Sequence, residues 1–271
     1  MTGAGRVPDD LRDRINPTVP HSARIWNYWL GGKDYYAADR EAGDKVLATY
    51  PGIREDARQA RDFLARAVTH LAAECGVNQF LDIGTGLPTS NNTHEVAQAI
   101  DPSARIVYVD NDPIVLVHAR ALLTSTKEGA CAYIDADART PEHIVEQAGR
   151  TLDFTRPVGL MMLGVLGNVA DYSQARSIVG QLVGAIPSGS FLVLEDGAAT
   201  SEERLQATAE HNEGGHAVYV NRRPEEIAGF FEGLELLDPG VVPVSRWRPS
   251  SVWSDREPPA VNAYCGVARK P

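Results

Sequence analysis

A short apolar run that breaks at two glycines constrains the fold of this chain more than any other feature. Residues 79–83 (QFLDI) are typical of a short buried strand, and Gly84 and Gly86 follow directly. Because glycine has no Cβ, the backbone there can turn tightly and approach a ligand closely. A second apolar run, 105–109, ends at Asp110, 24 positions after Gly86. Rossmann-type folds carry a ribose-binding carboxylate at about this offset, so the pattern predicts an α/β fold that binds a nucleoside-containing cofactor.

The residues around the glycine turn narrow the choice of cofactor. A dinucleotide fingerprint, G-x-G-x-x-G, has a third glycine, and Thr89 stands at that position here. No P-loop sequence occurs, which argues against a nucleoside triphosphate. Asp82 comes just before the turn, where a carboxylate repels a pyrophosphate but attracts a sulfonium or ammonium group. The pattern favours S-adenosylmethionine (SAM) over NAD; a tight turn with solvated acids is the structural alternative, since Gly-x-Gly alone is a weak signal.

A third run, 130–135, is predicted to be another strand, and two acids, Asp135 and Asp137, stand at its end. Ligands of open α/β sheets bind outside the carboxyl ends of the strands, so acids at three strand ends would face one crevice. Asp137 can accept a hydrogen bond from the exocyclic amine of adenine, or it can cap a helix that begins near Pro141. Spacing alone leaves both roles open, and Asp135 and Asp137 can exchange them.

Several motifs together resemble those of class I SAM-dependent methyltransferases. Their motifs I, II and III correspond to FLDIGTG, YVDNDP and DADART in this chain. The chain is more specifically similar to an actinobacterial family of unassigned substrate, formerly described as a domain of unknown function. The resemblance spans roughly residues 20–269 and implies SAM as the cofactor and S-adenosylhomocysteine (SAH) as the product. The segments that carry the family resemblance are 23–34 (ARIWNYWLGGKD), 92–97 (NTHEVA) and 242–249 (VPVSRWRP).

The resemblance completes a predicted cofactor site but leaves the substrate open. Where the family has an aromatic or His-bearing segment after strand 4, this chain has GVLGNVA at 164–170. Where the family often has Ser-His after strand 5, it has Glu195-Asp196. Both places face the expected substrate side, so the identity of the substrate cannot be inferred from the family. The predicted cofactor-binding residues are Tyr28, Gly32, Lys33, Arg61, Asp82, Gly84, Thr85, Gly86, Asp110, Asn111, Asp137, Ala138 and Gly164.

Two segments precede the predicted SAM-binding domain at 76–271, namely a flexible tail at 1–20 and a helical lid or cap at 21–75. Gly31 and Gly32 interrupt a helical pattern rich in Trp and Tyr, and each costs roughly 1 kcal/mol relative to Ala in a helix interior. A lid explains them better than a purely structural helix does. We expect this lid to cover the methionine moiety of the cofactor, with Tyr28 and Lys33 nearest to it. Trp26 and Trp29 share a helix face, which favours packing on the core.

The rest of the chain alternates strand-like and helix-like patterns, as a parallel sheet of βαβ units requires. We predict a Rossmann-like fold of five parallel strands plus a C-terminal antiparallel hairpin, with helices on both faces. In the helix predicted over 56–74, Arg61 is placed to pair with the carboxylate of the methionine moiety, although most such arginines are solvated. The predicted strands are 79–83, 105–110, 130–135, 157–163 and 190–195, followed by 240–246 and 262–268.

Composition limits the kinds of partner that this chain can bind. A net charge of −10 disfavours nucleic acid, because binding to the phosphate backbone depends on Lys and Arg. No run of 18 apolar residues and no signal-peptide pattern occurs, so we expect no membrane association. The three cysteines are isolated, which suits the cytoplasm and argues against a metal site or a disulfide framework. A small molecule is the expected substrate, and monomer and homodimer both remain open.

The leading functional hypothesis is methyl transfer from SAM to oxygen or nitrogen of a small-molecule acceptor. Alignment of the acceptor supplies much of the catalysis, and a general base helps such an acceptor lose its proton. Candidates for the base are Asn168, Asp171, Glu195 and Asp196, each of which is more commonly a solvated polar residue, so no catalytic residue is assigned. The alternative is an inactive SAM-binding sensor or partner-binding protein. An NAD-dependent oxidoreductase is disfavoured by Asp82 and by the absent third glycine.

Overall fold

The computed structural model describes residues 14–122, 124–214, 218–249 and 257–271. Most of the predicted tail therefore lies outside the described residues. Within the described residues, three helices between residue 21 and the first strand lie in the region predicted as a lid or cap: α1 (Ser22–Trp29), α2 (Ala37–Thr49) and α3 (Ile53–Ala73).

Strands and helices then alternate from residue 79 onwards. The strands are β1 (Gln79–Ile83), β2 (Arg105–Asp110), β3 (Ala130–Asp135), β4 (Gly159–Leu163), β5 (Phe191–Gly197), β6 (Glu235–Leu236), β7 (Val242–Pro243) and β8 (Ala263–Arg269). The helices are α4 (Thr93–Ile100), α5 (Pro113–Leu122), α6 (Pro141–Ala148), α7 (Tyr172–Ala185), α8 (Glu202–Glu213) and α9 (Pro224–Ala228). Short 3₁₀ turns occur at Leu166–Asn168, Gly229–Phe231 and Val244–Arg246.

The strands form one sheet in the order β3-β2-β1-β4-β5-β8-β6, and β7 also pairs with β8. The pairs among β1 to β5 are parallel, whereas β8 runs antiparallel to β5, β6 and β7. This confirms the predicted fold class. The hairpin differs in detail, because the run predicted at 240–246 pairs only over Val242–Pro243 before it enters a 3₁₀ turn. The short strand β6 was not predicted.

Apolar residues cover both faces of the sheet, as the continuously apolar strands predict. On one face, Leu81 and Val107 belong to a buried cluster that includes residues of α6 and α7. On the other face, Phe80 and Ile106 belong to a cluster with Phe63 of α3 and other residues of that helix. Helix α3 therefore packs on one face of the sheet, and the division into a lid or cap at 21–75 and a SAM-binding domain at 76–271 stays a prediction.

The helices α1 and α2 dock onto the rest of the fold through buried charges and apolar contacts. Arg24 is buried, and its guanidinium lies 3.4 Å from Asp39 of α2 and 3.3 Å from Asp112 beside α5. Val46, Tyr50, Ile53 and Ala207 form a small apolar cluster, which joins α2 to α3 and α8. Within the described ranges, no helix combines the length and the apolar character that a membrane span requires.

Candidate functional site

The two glycines after β1 serve different physical purposes. Both have left-handed backbone conformations, with φ of +70° at Gly84 and +64° at Gly86. A Cβ added to Gly84 would lie 2.2 Å from Cγ2 of Val165, which follows β4. A Cβ on Gly86 would meet no atom within 4 Å. Gly84 therefore allows close packing of two loops, while Gly86 leaves an open space for a ligand.

That open space is part of a cleft of about 310 Å³ along the carboxyl ends of β1 to β5. Such a position, at the ends of parallel strands, is where open α/β sheets bind their ligands. The structure brings most of the predicted cofactor-binding residues to this cleft. Those that line it are Arg61, Asp82, Gly84, Thr85, Gly86, Asp110, Asn111, Asp137, Ala138 and Gly164.

Tyr28, Gly32 and Lys33 are not among the residues that line the cleft, which corrects their predicted placement. The Tyr28 hydroxyl donates a hydrogen bond to Asp44, and Lys33 is exposed. A Cβ on Gly32 would lie 2.3 Å from Oδ1 of Asn27, so that glycine makes room for a side chain.

The face of α1 that carries Trp26 and Trp29 turns towards the cleft instead. The two indole rings contact each other edge to face, with centroids 5.9 Å apart. Their shared helix face was predicted, and Trp29 packs against an apolar core cluster as expected; that both rings also line the cleft was not predicted. The spacing of i and i+3 positions identifies a common face without saying what that face meets.

Asp110 is held in place by the backbone around it. Its Oδ2 accepts a hydrogen bond from Gly86 N and its Oδ1 accepts one from Asp112 N, both at 2.9 Å. Burial raises the pKa of this carboxyl group above its ordinary value, although these two hydrogen bonds oppose the shift. Each carboxylate oxygen can accept more than one hydrogen bond, so capacity for a ribose diol remains.

The structure separates the two acids at the end of β3. Asp137 lines the cleft, where its Oδ2 accepts a hydrogen bond from Asn111 Nδ2 at 3.0 Å. Its Oδ1 accepts one from Arg139 N at 2.9 Å, and the N-cap of α6 is Thr140. Asp137 is therefore not the cap of that helix. Asp135 is exposed and forms an ion pair with Arg14.

Asp82 and Arg61 lie together near the start of the glycine turn. Asp82 is buried and accepts a hydrogen bond from Thr93 Oγ1 at 2.6 Å. Its burial raises its pKa to about 6, while the charge of Arg61 opposes that shift. The Arg61 Nη2 donates to the carbonyl of Ser90 at 3.2 Å. Its buried Nε has no hydrogen-bond partner among the described residues, so a donor remains for a carboxylate.

Of the four candidate bases, Glu195 and Asn168 line the cleft. Glu195 is only 2% exposed, and burial raises its pKa to about 8. Asp196 forms an ion pair with Arg222 at 3.2 Å and is not among the cleft residues. Asp171 is exposed and caps α7 by accepting a hydrogen bond from Gln174 N at 2.7 Å.

The wall over β5 comes from elements that are distant in sequence. Tyr50, which follows α2, and Arg204 and His211 of α8 line it, together with Tyr219. The nearby His216 lies outside the described residues. Arg204 makes a buried ion pair with Asp56 of α3. We did not predict either partner, because 148 residues separate them and no local motif connects them.

A parallel sheet with a glycine turn after β1 and acids at the ends of β2 and β3 defines a Rossmann-like α/β protein with its ligand cleft at the carboxyl ends of the strands. The mitomycin 7-O-methyltransferase, 16% identical, shares this fold with a TM-score of 0.51 over 97% of this chain and 67% of its own.

Residues 8–271 match the S-adenosyl methyltransferase family, so the chain belongs to that family and SAM is its cofactor. A DUF574 family protein from Streptomyces avermitilis MA-4680 is 44% identical, with a TM-score of 0.88 over 93% of this chain and 98% of its own. A candidate methyltransferase from Thermobifida fusca YX is 38% identical, with a TM-score of 0.84 over 93% and 96% of the two chains. No protein of curated function matches this sequence significantly.

Proposed function

We propose that this protein transfers the methyl group of SAM to an oxygen or nitrogen atom of a small-molecule acceptor. One observation carries the proposal: a single cleft contains both the strand ends that suit the cofactor and a further chamber over β5. The net charge of −10 supports a small acceptor rather than a nucleic acid. The isolated cysteines support a place in the cytoplasm.

The residues that would hold the cofactor follow the order of the strands. Asp137 and Asn111 would contact the adenine, and Asp110 would accept hydrogen bonds from the ribose hydroxyls. Arg61 would pair with the carboxylate of the methionine part through its unpartnered Nε. Asp82 would stabilise the positive charges of that part, since an opposite charge nearby favours an ionised carboxylate.

When bound, the cofactor supplies an activated methyl group on a positively charged sulfur. The acceptor atom forms a bond to the methyl carbon as the sulfur–carbon bond breaks, and the bonding electron pair stays on sulfur. The contribution of the protein is alignment of the acceptor and exclusion of water. We assign the second task to α1, because Trp26 and Trp29 line the cleft and buried ion pairs hold this helix in place.

Calorimetry with SAM, SAH and NAD tests the cofactor assignment. Asp110→Ala should weaken SAH binding by about 1.5–3 kcal/mol, because it removes charge-assisted hydrogen bonds to the ribose. Asp62→Ala removes an exposed carboxylate of α3 and is the matched control. Affinity for NAD without affinity for SAH would contradict the proposed function. Unchanged SAH affinity in a folded Asp110→Ala variant would contradict the role of Asp110.

A further inference from the structure

The strand order determines which residues line each part of the cleft. Asp137 and Asp110 stand at the ends of β3 and β2, and Gly84 follows β1. Gly164 follows β4, and Glu195 lies near the end of β5, one strand further along the sheet. With the cofactor placed as proposed above, the part of the cleft over β5 lies beyond its methionine part. The acceptor would occupy the cleft over β5, because the cofactor as proposed occupies the cleft over β1 to β4.

The chamber over β5 combines the polar residues Arg204, His211 and Tyr219 with an apolar part. Trp29, Val46, Tyr50, Ile53 and Ala207 line it, and they belong to or pack against one apolar cluster contributed by α1, α2, α3 and α8. Walls of this kind bind the apolar body of a ligand, and a few polar groups orient it.

Glu195 is the acid at the base of this chamber. A Cβ added to Gly164 would lie 3.8 Å from Oε2 of Glu195, which places the carboxyl group directly against the loop after β4. Among the described residues, the Glu195 carboxylate forms no ion pair and accepts no hydrogen bond from a side chain, although the backbone of Gly164 supplies a hydrogen bond to it. The neighbouring cation, Arg204, is committed to Asp56 and to Oδ1 of Asn221.

The charged groups near Glu195 explain why its ionised form is poorly stabilised. Asp196 and Asp56 bear the same charge, whereas Arg204 and the backbone hydrogen bond from Gly164 favour the ionised form. Tyr219 and Cys265 are also near it, and burial keeps both neutral by raising the pKa of each well above its ordinary value. His211 lines the same chamber. An ionised carboxylate that is buried without an ionic partner has a high free energy, and a cation placed beside it lowers that free energy.

We infer that the chamber over β5 is an acceptor subsite for an apolar amine, and that Glu195 pairs with the amine and takes its proton. This inference rests on the proposed function. The ammonium group gives one proton to Oε of Glu195, and the freed nitrogen lone pair forms the new bond to the methyl carbon. The sulfur–carbon bond breaks with its electrons left on sulfur. The methylated product leaves as an ammonium ion, and Glu195 keeps the proton that it took from the amine, which restores the protonated form of the empty site; the proton released to solvent is the one that Glu195 lost when the amine bound.

The test compares two probes of similar shape on the full chain saturated with SAH. Calorimetry measures binding of 2-phenylethylamine and of 2-phenylethanol at pH 7 in two buffers that differ in ionisation enthalpy. The wild-type protein should bind the amine at least about tenfold more tightly than the alcohol. Amine binding should release about one proton, because the empty site holds Glu195 largely protonated at pH 7 while the free amine is also protonated.

Glu195→Gln keeps the shape of the side chain and removes its ability to ionise. It should bind the two probes within about threefold of each other and release no proton, while its SAH affinity stays within about threefold of the wild type. Glu146→Gln changes an exposed glutamate of α6 in the same way and should behave as the wild type does.

The wild-type measurements are decisive even if the Glu195 variant does not fold. Equal binding of the two probes, binding of neither, or amine binding without proton release would overturn the inference and leave SAH binding intact. Persistence of amine selectivity in Glu195→Gln would also overturn it. So would loss of SAH binding in that variant, which would place Glu195 beside the cofactor. A wild-type protein that does not bind SAH would instead contradict the proposed function.

Discussion

The two halves of the cleft are built in different ways. Over β1 to β3, the acids stand at strand ends, and nearby backbone groups orient them: Gly86 N and Asp112 N both donate to Asp110. Over β5, the walls come from α1, α2 and α8, and a buried ion pair between Asp56 and Arg204 joins elements 148 residues apart. The half proposed for the cofactor depends on local turns, whereas the half proposed for the acceptor depends on the docking of distant helices.

The two halves also differ in the partners that stabilise their buried acids. The acids of the cofactor half accept hydrogen bonds from protein groups, as Asp82 does from Thr93. Glu195 in the acceptor half accepts a hydrogen bond from the Gly164 backbone but has no side-chain or ionic partner among the described residues. Under the inference above, an amine would supply that missing ionic partner. The four changes below test this contrast, beginning with the largest expected effect.

Arg204→Met should destabilise the protein by about 3–5 kcal/mol, because it leaves the buried carboxylate of Asp56 without its partner. Methionine keeps most of the apolar stem that packs beside Tyr50. Denaturant unfolding measures the change, and Arg269→Met is the control. That arginine pairs with Glu235 at side-chain exposures of 47% and 58%, so its loss should cost less than about 1 kcal/mol. Similar losses in the two variants would show that α8 does not depend on the buried pair.

Gly84→Ala should cost about 3 kcal/mol of unfolding free energy. The left-handed backbone contributes roughly 1–2 kcal/mol, and the clash with Val165 adds to it. Gly76 has nearly the same φ, +69°, but open space around it, so Gly76→Ala isolates the backbone contribution. If the free energy of unfolding falls by the same amount in both variants, the close packing of Gly84 on the loop after β4 does not contribute to stability. Thermal or denaturant unfolding measures the two values.

Glu195 should make the stability of the protein fall as pH rises. The unfolded chain ionises this group near its ordinary pKa of about 4.3, whereas the folded chain ionises it only near pH 8. Between these values the folded state holds more protons, so its contribution to stability is present at low pH and is lost as pH increases. Relative to the wild type, Glu195→Gln should gain at least about 1.4 kcal/mol between pH 5 and pH 8. A constant difference across this range in urea titrations would argue against a buried, proton-holding carboxyl group.

Asp137→Ala should weaken SAH binding by about 1 kcal/mol through the loss of one hydrogen bond to adenine. Asp135→Ala removes the neighbouring exposed acid and should leave the affinity unchanged. Calorimetry on both variants gives the comparison. If Asp135→Ala is the variant that loses affinity, the roles that we assign to these two acids have to be exchanged.

Much of the fold was predictable because the relevant signals are local. Five apolar runs with helical patterns between them indicated a parallel sheet, and the predicted β1, β2 and β3 have the bounds that the structure shows. The terminal hairpin was less predictable. Its first strand is only Val242–Pro243, and β6 pairs with β8 over two residues, so neither leaves a clear alternating pattern in the sequence.

By itself, the sequence determined the sheet, the glycine turn and the strand-end acids, because each depends on residues close together in the chain. The left-handed turn at Gly84 and Gly86 needs glycine, and parallel strands bring their carboxyl ends to one edge. Only the tertiary structure decided which face of α1 meets the cleft, and that Arg204 pairs with Asp56. It also decided that Glu195 is buried at the cleft and has no ionic partner within the described part of the chain. These features arise when distant helices pack together, and helical spacing shows which residues share a face but not what that face contacts.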